Sequence, residues 1–196
     1  MRILISNELT VMHRLRVDKK PVPTVAVIDS QSVKNSSTAA EQIGFDGGKL
    51  IKGRKRFLIV DTMGHLLWTD LRPANVYDGQ AGVTFWEQAK HLNPLLDDLV
   101  LLFADSTFGG HFKEQLETIY DMRVVISKTP TEDQPIDGEL VIHKWPVRRC
   151  GWIVERTISW LGNNRRLSKD YERTILSAQS FIWIAHIRRT IRYAFY

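Results

Sequence analysis

The sequence predicts an α/β domain in which a mixed sheet carries helices on its faces. Two apolar runs, at residues 24–29 and 99–104, have the composition of buried strands, and each leads into an aspartate. Between them, residues 56–61 and 65–71 are strand-like and are joined by a short turn that contains Gly64, which indicates a hairpin. A hairpin followed by alternating helices and strands is typical of a mixed sheet.

Helical spacing appears in four later segments, and one further strand lies among them. The predicted helices cover residues 80–92, 110–120, 152–161 and 172–193, and the strand covers 123–127. This element order matches the ribonuclease-H-like fold, a mixed five-stranded sheet with an antiparallel hairpin meander and parallel strands, flanked by helices. We expect residues 21–196 to form this single domain and residues 1–20 to be a short lead-in.

The composition indicates a globular protein rather than a membrane, disulfide-rich or disordered one. The chain has 196 residues, of which 43% are hydrophobic and 25% charged. Its net charge of +5 favours a polyanionic partner. Cys150 is the only cysteine, which excludes an internal disulfide and a cysteine-based zinc site. Arginines interrupt the apolar C-terminal stretch and no targeting segment is evident, so a cytoplasmic location is expected.

Three carboxylates are candidates for a metal site. Asp29 and Asp105 follow two predicted strands that would lie at one sheet edge, roughly 5 Å apart, if the strands are parallel neighbours. Glu155 borders the apolar stripe of the predicted helix at 152–161 and would face that edge. Hard divalent cations prefer oxygen ligands. The alternative is that these acids only cap turns and helices.

Two other acids fit such a site less well. Asp61 ends the second strand and should lie at the opposite edge of the sheet. Asp70 should lie at the same edge as Asp29, but about two strand spacings, or roughly 10 Å, away. Both are interpreted as surface or turn residues.

Basic residues are concentrated in two places, where we predict contacts with nucleic-acid phosphates. The densest group falls in a predicted loop at residues 30–53 and the strand after it, and comprises Lys49, Lys52, Arg54, Lys55 and Arg56. A second group follows the helix of Glu155 and comprises Arg165, Arg166 and Lys169. The alternative is a solvated surface. A third group, Arg188, Arg189 and Arg192, is interpreted as the wet face of an amphipathic helix.

Around the three acids, the sequence resembles the DDE transposases of bacterial insertion sequences. The similar blocks are VIDSQSVK around Asp29, LLFADSTFGG around Asp105 and WIVERTISWLGNNRRLSKDYE around Glu155. GKLIKGRKRFLIVDTMGHLL resembles the basic loop and hairpin between the first two. The resemblance spans roughly residues 24–190, and the block around Glu155 is its most specific part.

The resemblance implies a ribonuclease-H-like fold and two-metal catalysis of DNA strand cleavage and strand transfer. Asp29 and Asp105 would be the main metal ligands and Glu155 the third, with Mg²⁺ as cofactor and Mn²⁺ as its substitute. The implied partners are transposon ends and target DNA, together with a second copy of the chain or the product of an upstream reading frame. The protein would associate with the nucleoid when bound to DNA.

The sequence departs from the family pattern at two points. Only 28 residues precede Asp29, where relatives often carry a helical region that recognises transposon ends, so this region is expected to be absent. Gly151 occupies the position, four residues before Glu155, where relatives commonly have an arginine. Two alternatives therefore stand beside an active transposase core. They are a truncated, non-catalytic DNA-binding remnant and a ribonuclease-H-like nuclease.

Overall fold

The computed structural model describes residues 1–127 and 144–195. Within them, the strands are β1 (Val25–Lys34), β2 (Gly44–Asp46), β3 (Ile51–Asp61), β4 (Leu66–Pro73), β5 (Leu101–Asp105) and β6 (Arg123–Ser127). The helices are α1 (Arg2–Arg16), α2 (Asp78–Leu92), α3 (His111–Tyr120), α4 (Lys144–Gly162) and α5 (Ile175–Phe195). Short 3-10 helices lie at Pro94–Leu96, Ser106–Phe108 and Arg165–Leu167.

The main strands form one mixed sheet in the order β4-β3-β1-β5-β6. The pairings of β1 with β3 and of β3 with β4 are antiparallel, whereas β1, β5 and β6 run parallel. The short β2 pairs with the first residues of β3 and adds a sixth strand. This arrangement confirms the predicted ribonuclease-H-like fold with its five principal strands.

The two faces of the sheet carry different helices. On one face, α4 packs against β1, β3, β5 and β6. On the other face, α2 and α3 pack together, and Phe57 of β3 contacts Phe85 of α2 and Phe108. The strand interiors are apolar on both faces because both are covered. No described helix has the length and apolar character needed to cross a membrane.

Helix α5 lies along β4, the outer strand of the hairpin. The Nε2 atom of Gln179 donates a hydrogen bond to the Thr69 carbonyl at 2.6 Å, and the Leu66 N–H donates to His186 Nε2 at 3.2 Å. These side chains bond to backbone groups that an edge strand would otherwise expose, so α5 protects this edge of the sheet.

The segment expected to be a short lead-in is instead a helix that belongs to the fold. Helix α1 packs against α5, and Arg14 donates to Asp61 at 2.5 Å while Asn7 donates to Asn93 at 2.8 Å. Its buried face includes the polar residues Ser6, Asn7, Thr10 and Arg14. Hydrophobic periodicity could not reveal this helix, because polar contacts hold much of its inner face.

Candidate functional site

Asp29 lies in the middle of β1, not at its end as predicted. The parallel pairing of β1 with β5 stops at Ile28 and Ala104, while the antiparallel pairing with β3 continues through Asp29 and Leu58. On the parallel side, therefore, the neighbouring strand ends next to Asp29. Asp105, the last residue of β5, follows Ala104 at this point. The two aspartates come to one place because β5 ends there.

The three predicted acids line one cavity of about 200 Å³. Strands β1 and β5 form one side of it, and α4 forms the other. Its lining residues are Val27, Ile28, Asp29, Phe103, Ala104, Asp105, Gly151, Val154 and Glu155. The structure thus brings together side chains that are 126 residues apart in sequence, from Asp29 to Glu155.

Asp29 is held where its negative charge is disfavoured. Burial raises its pKa to about 6, and the neighbouring charge of Asp105 acts in the same direction. One of its oxygens accepts a hydrogen bond from the Ser30 N–H at 2.7 Å, and the charge of Lys49 also opposes the rise. A cation beside Asp29 would favour the ionised carboxylate and so counteract the effects of burial and of Asp105.

Asp105 occupies a more open position at the start of a 3-10 helix. Its side chain is exposed, and its Oδ1 atom accepts from the Ser106 N–H at 2.6 Å and more weakly from the Ser106 hydroxyl at 3.3 Å. These bonds orient the carboxylate as a helix cap does. Among the described residues, none bonds to the Oδ2 atom of Asp105.

Glu155 is exposed. The two residues that follow it in α4 contact the β3–β4 turn. The Nη2 atom of Arg156 donates to the Met63 carbonyl at 3.0 Å, and the Thr157 hydroxyl donates to the Gly64 carbonyl at 3.2 Å. Gly64 has φ +86°, and a Cβ atom there would lie 2.7 Å from the Thr157 Oγ1 atom. The β3–β4 turn therefore positions the helix that carries Glu155. Sequence reasoning missed this contact because its partners lie 93 residues apart.

The chemistry of the cavity fits a hard divalent cation. It offers three carboxylates, one of which is largely buried without a bonded cation among the described residues, and oxygen donors are what such ions prefer. Within residues 1–127 and 144–195, no three acidic, histidine or cysteine side chains already converge on one point closely enough to hold an ion. The three carboxylates nevertheless face one space.

The two other acids have structural roles. Of the two interpretations offered for Asp61, a surface residue or a turn residue, the contacts fit the second. Asp61 is fully buried, and its oxygens accept from Arg14 and from the N–H groups of Met63 and His65 in the β3–β4 turn.

Asp70 lies on the opposite face of the sheet from Asp29. In the cross-strand register, Asp29 is opposite Leu58, whereas Asp70 is opposite Phe57. Consecutive strand residues point to opposite faces. Asp70 pairs with Arg72 at 2.8 Å, so we exclude it from the cavity.

Three of the predicted DNA-contacting residues are buried structural residues, which corrects their assignment. Arg54 is fully buried and donates to Asp170 at 2.9 Å and to the carbonyls of Glu172 and Arg173. Its donors are used inside the protein, so it cannot present them to DNA in this structure.

Lys55 and Arg56 are likewise occupied. Lys55 pairs with Asp78 at 2.8 Å, and Arg56 donates to the Leu167 carbonyl at 2.9 Å. The basic block was predicted to extend from a loop, but its second half lies within β3, which begins at Ile51. The charges of these strand residues stabilise the packing of later segments against the sheet.

The other predicted basic residues remain accessible. Exposed side chains are found at Lys49, Lys52, Arg165, Arg166 and Lys169. Arg166 also lies 3.5 Å from Glu172 and stacks over Phe181. These five residues are the part of the predicted basic surface that can meet a polyanion.

Comparison with known proteins decides the family. The family model described as "Transposase DDE domain" matches residues 20–188. The chain belongs to this family. It is therefore a transposase domain of the metal-dependent, phosphoryl-transfer class, which the family favours over the two alternatives from the sequence. No curated protein matches the chain.

Several solved structures are similar to the chain at low identity. The catalytic domain of Mos1 mariner transposase matches with a TM-score of 0.46 and 10% identity, covering 98% of this chain and 88% of that one. A pre-cleavage Mos1 transpososome matches with a TM-score of 0.39 and 11% identity over 98% and 60%. The Mos1 paired-end complex with Mn matches with 0.36 and 13% over 98% and 59%. This chain therefore spans about 60% of the transposase chains in those complexes.

Proposed function

We propose that Asp29, Asp105 and Glu155 are the catalytic, metal-binding carboxylates with which this transposase domain cuts and rejoins the DNA strands of an insertion sequence. The observation that carries the proposal is their common cavity at the point where β5 ends beside β1. The family membership supports it, because a DDE domain acts through acidic residues.

Each carboxylate has a role that follows from its surroundings. Divalent ions held here would activate an attacking hydroxyl and neutralise the charge of the phosphate under attack. Asp29 and Asp105, on adjacent strands, are the main ligands, and Glu155 is the third ligand on the opposite wall of the cavity. Because burial disfavours the ionised form of Asp29, this residue gains most from a bound cation.

We propose Mg²⁺ as the cofactor and Mn²⁺ as its substitute. The donor set consists of carboxylate oxygens only, which suits small hard cations that keep several water ligands. Substrate phosphate oxygens would complete the coordination, so we expect the ions to bind more tightly when DNA is present.

We propose that the exposed Lys49, Lys52, Arg165, Arg166 and Lys169 contact DNA phosphates at transposon ends and target. Basic side chains that neutralise phosphates make affinity salt-dependent. Recognition of the ends and assembly would involve a second copy of this chain or the product of an upstream reading frame. The expected site of action is the cytoplasm, at the nucleoid when DNA is bound.

DNA cutting by the full chain tests the proposal. Purified wild type would be incubated with the element's own flanking DNA in Mg²⁺ or Mn²⁺, beside Asp105→Asn and Asp70→Asn. We expect metal-dependent cleavage by wild type, a loss of at least a thousandfold in Asp105→Asn, and near-normal cleavage by Asp70→Asn. The last variant removes the same charge from the opposite face of the sheet.

Two results would contradict the proposal. Equal cleavage by wild type and Asp105→Asn would remove Asp105 from the chemistry. DNA binding without cleavage by wild type, even after the product of the upstream frame is added, would instead support a non-catalytic remnant. Cleavage that appears only after that addition would support the proposed partner.

A further inference from the structure

A second pocket lies farther toward the C-terminal end of α4 than the three-carboxylate cavity. It has a volume of about 340 Å³ and lies between the C-terminal half of α4 and α5. The two pockets share no lining residue. Its polar lining includes Asn163, Arg188, Arg189 and Arg192. The three arginines, predicted to be a merely wet helix face, thus surround a defined space.

The charge of this pocket is not balanced within the described chain. There, Arg188, Arg189 and Arg192 form no ion pair with an acidic side chain. Burial lowers the pKa of Arg189 to about 10, and the positive charge of Arg156 acts in the same direction, whereas Tyr193 and Asp61 oppose the change. The oxygens of Asp61 are occupied by Arg14 and by backbone N–H groups. An anion in the pocket would relieve the repulsion between Arg156 and Arg189.

Aromatic rings hold one of these arginines in place before any ligand binds. The Arg189 guanidinium lies 3.0 Å from the ring centre of Trp160, and that of Arg156 lies 4.4 Å from the same ring. Arg189 also lies over Tyr193 at 5.3 Å. Its Nε atom is buried without a hydrogen-bond partner among the described residues. Stacking fixes the plane of Arg189, so an incoming oxyanion meets a preformed donor.

We propose that this pocket binds a phosphate group of the DNA backbone, with Arg188 and Arg192 as its direct contacts and Arg189 as the fixed donor behind them. A guanidinium group can donate two parallel N–H hydrogen bonds to the oxygens of one phosphate, which makes arginine suited to this ligand. DNA as the source of the phosphate rests on the proposed function.

The position of the pocket along α4 suits the same DNA that enters the carboxylate cavity. Trp160 follows Glu155 by five residues, which is about 7.5 Å of helix rise and roughly 140° of rotation around the helix axis. A duplex cut at the cavity would thus meet the pocket with a phosphate that lies farther along α4 and around its axis. Contacts of this kind position the nucleic acid without reading its sequence.

The test is DNA binding measured without cutting. Fluorescence anisotropy of labelled duplex in EDTA would give Kd between 50 and 200 mM salt for the full-length wild type and for Arg188→Gln/Arg192→Gln. Each lost phosphate contact lowers the slope of log K against log salt by about 0.9, so we expect a decrease of about 1.8. Both arginines are exposed, so folding should be retained, which circular dichroism would check.

Two controls separate the pocket from general charge. Lys90→Gln/Lys113→Gln removes the same net charge from α2 and α3, on the opposite face, and should leave the slope unchanged. Arg188→Lys/Arg192→Lys keeps the charge but loses the paired donors, so it should keep most of the slope while weakening binding a few-fold.

Several outcomes would overturn the inference. If the salt slope of Arg188→Gln/Arg192→Gln equals that of wild type, the pocket is not part of the DNA interface. If Lys90→Gln/Lys113→Gln lowers the slope by the same amount, the effect comes from net charge and not from the pocket. A third outcome is that inorganic phosphate raises the melting temperature of wild type but not that of Arg188→Gln/Arg192→Gln, while the two proteins have the same salt slope for DNA. In that case the pocket binds a free anion instead of DNA. None of these readings requires cleavage, so they are independent of the Asp105→Asn result.

Discussion

Two aspartates on adjacent antiparallel strands, Asp29 and Asp61, are both largely removed from water but have opposite surroundings. Asp61 accepts hydrogen bonds from Arg14 at 2.5 Å and from the N–H groups of Met63 and His65, each at 2.8 Å. Asp29 accepts one from Ser30 and is repelled by Asp105. Both oxygens of Asp61 are hydrogen-bonded within the fold, whereas in the described part of the chain only the Oδ1 atom of Asp29 accepts a hydrogen bond.

This difference distinguishes a structural acid from a candidate catalytic one. Burying a charge is unfavourable unless partners compensate for it. At Asp61 those partners come from α1 and the β3–β4 turn, so the cost is met by the fold itself. At Asp29 the described residues do not provide a bonded cation, and the cavity leaves room for one. The same substitution at the two positions should therefore have opposite effects.

The largest expected effect on folding comes from Asp61→Asn. It leaves the buried guanidinium of Arg14 unpaired, and breaking a buried ion pair on one side costs about 3–5 kcal/mol. The measurement is the free energy of unfolding from urea titration at pH 8. A loss below about 1 kcal/mol would show that the Arg14 pair does not hold α1 against the sheet.

The matched change, Asp29→Asn, should stabilise the metal-free protein. The pKa of Asp29 is about 6, against 3.8 ordinarily, so the folded state holds its proton more tightly than the unfolded state. Stability is therefore lost as pH rises from about 4 to 6, by at most about 3 kcal/mol. Asn avoids this loss.

We expect Asp29→Asn to increase the free energy of unfolding at pH 8 in EDTA and to leave it unchanged at pH 3.5. Urea titrations of the variant and wild type at both pH values give the comparison. Destabilisation by the variant at pH 8 would mean that Asp29 is a structural acid like Asp61.

Cleavage should depend on the same ionisation. Protons and metal compete for Asp29, so the rate should fall about tenfold per pH unit below pH 6 at low metal concentration. Raising the Mg²⁺ concentration should move this decline to lower pH. If the pH profile does not change with metal concentration, protonation of Asp29 is not the cause of the fall in cleavage rate.

The smallest effect on stability is expected from Lys49→Gln/Lys52→Gln. These exposed residues should change the free energy of unfolding by less than about 0.5 kcal/mol and lower the salt slope of DNA binding by up to about 1.8. Arg54→Gln, with its buried partner Asp170, should instead destabilise the fold strongly. Similar behaviour of the two variants would contradict the division of the basic block into accessible and buried halves.

The sequence predicted those features that local composition controls. The apolar runs before Asp29 and Asp105 are strands, and the turn at Gly64 does join a hairpin. The sequence could not reveal the structural role of Arg54. A dense block of basic residues has the same local composition whether its side chains are solvated or pair with a carboxylate 116 residues later, as Arg54 does with Asp170. The meeting of Asp29 and Asp105 was predicted from strand ends, whereas it arises from the end of β5 alone.

The most direct test of the central claim is Mn²⁺ binding measured by titration calorimetry at pH 8. We would compare wild type with Asp29→Asn, Asp105→Asn and the control Asp70→Asn, whose carboxylate pairs with Arg72 on the other face of the sheet. The proposed site predicts that wild type and Asp70→Asn bind the ion and that both other variants lose most of this affinity. Equal binding by wild type and an Asp29→Asn/Asp105→Asn double variant would contradict it.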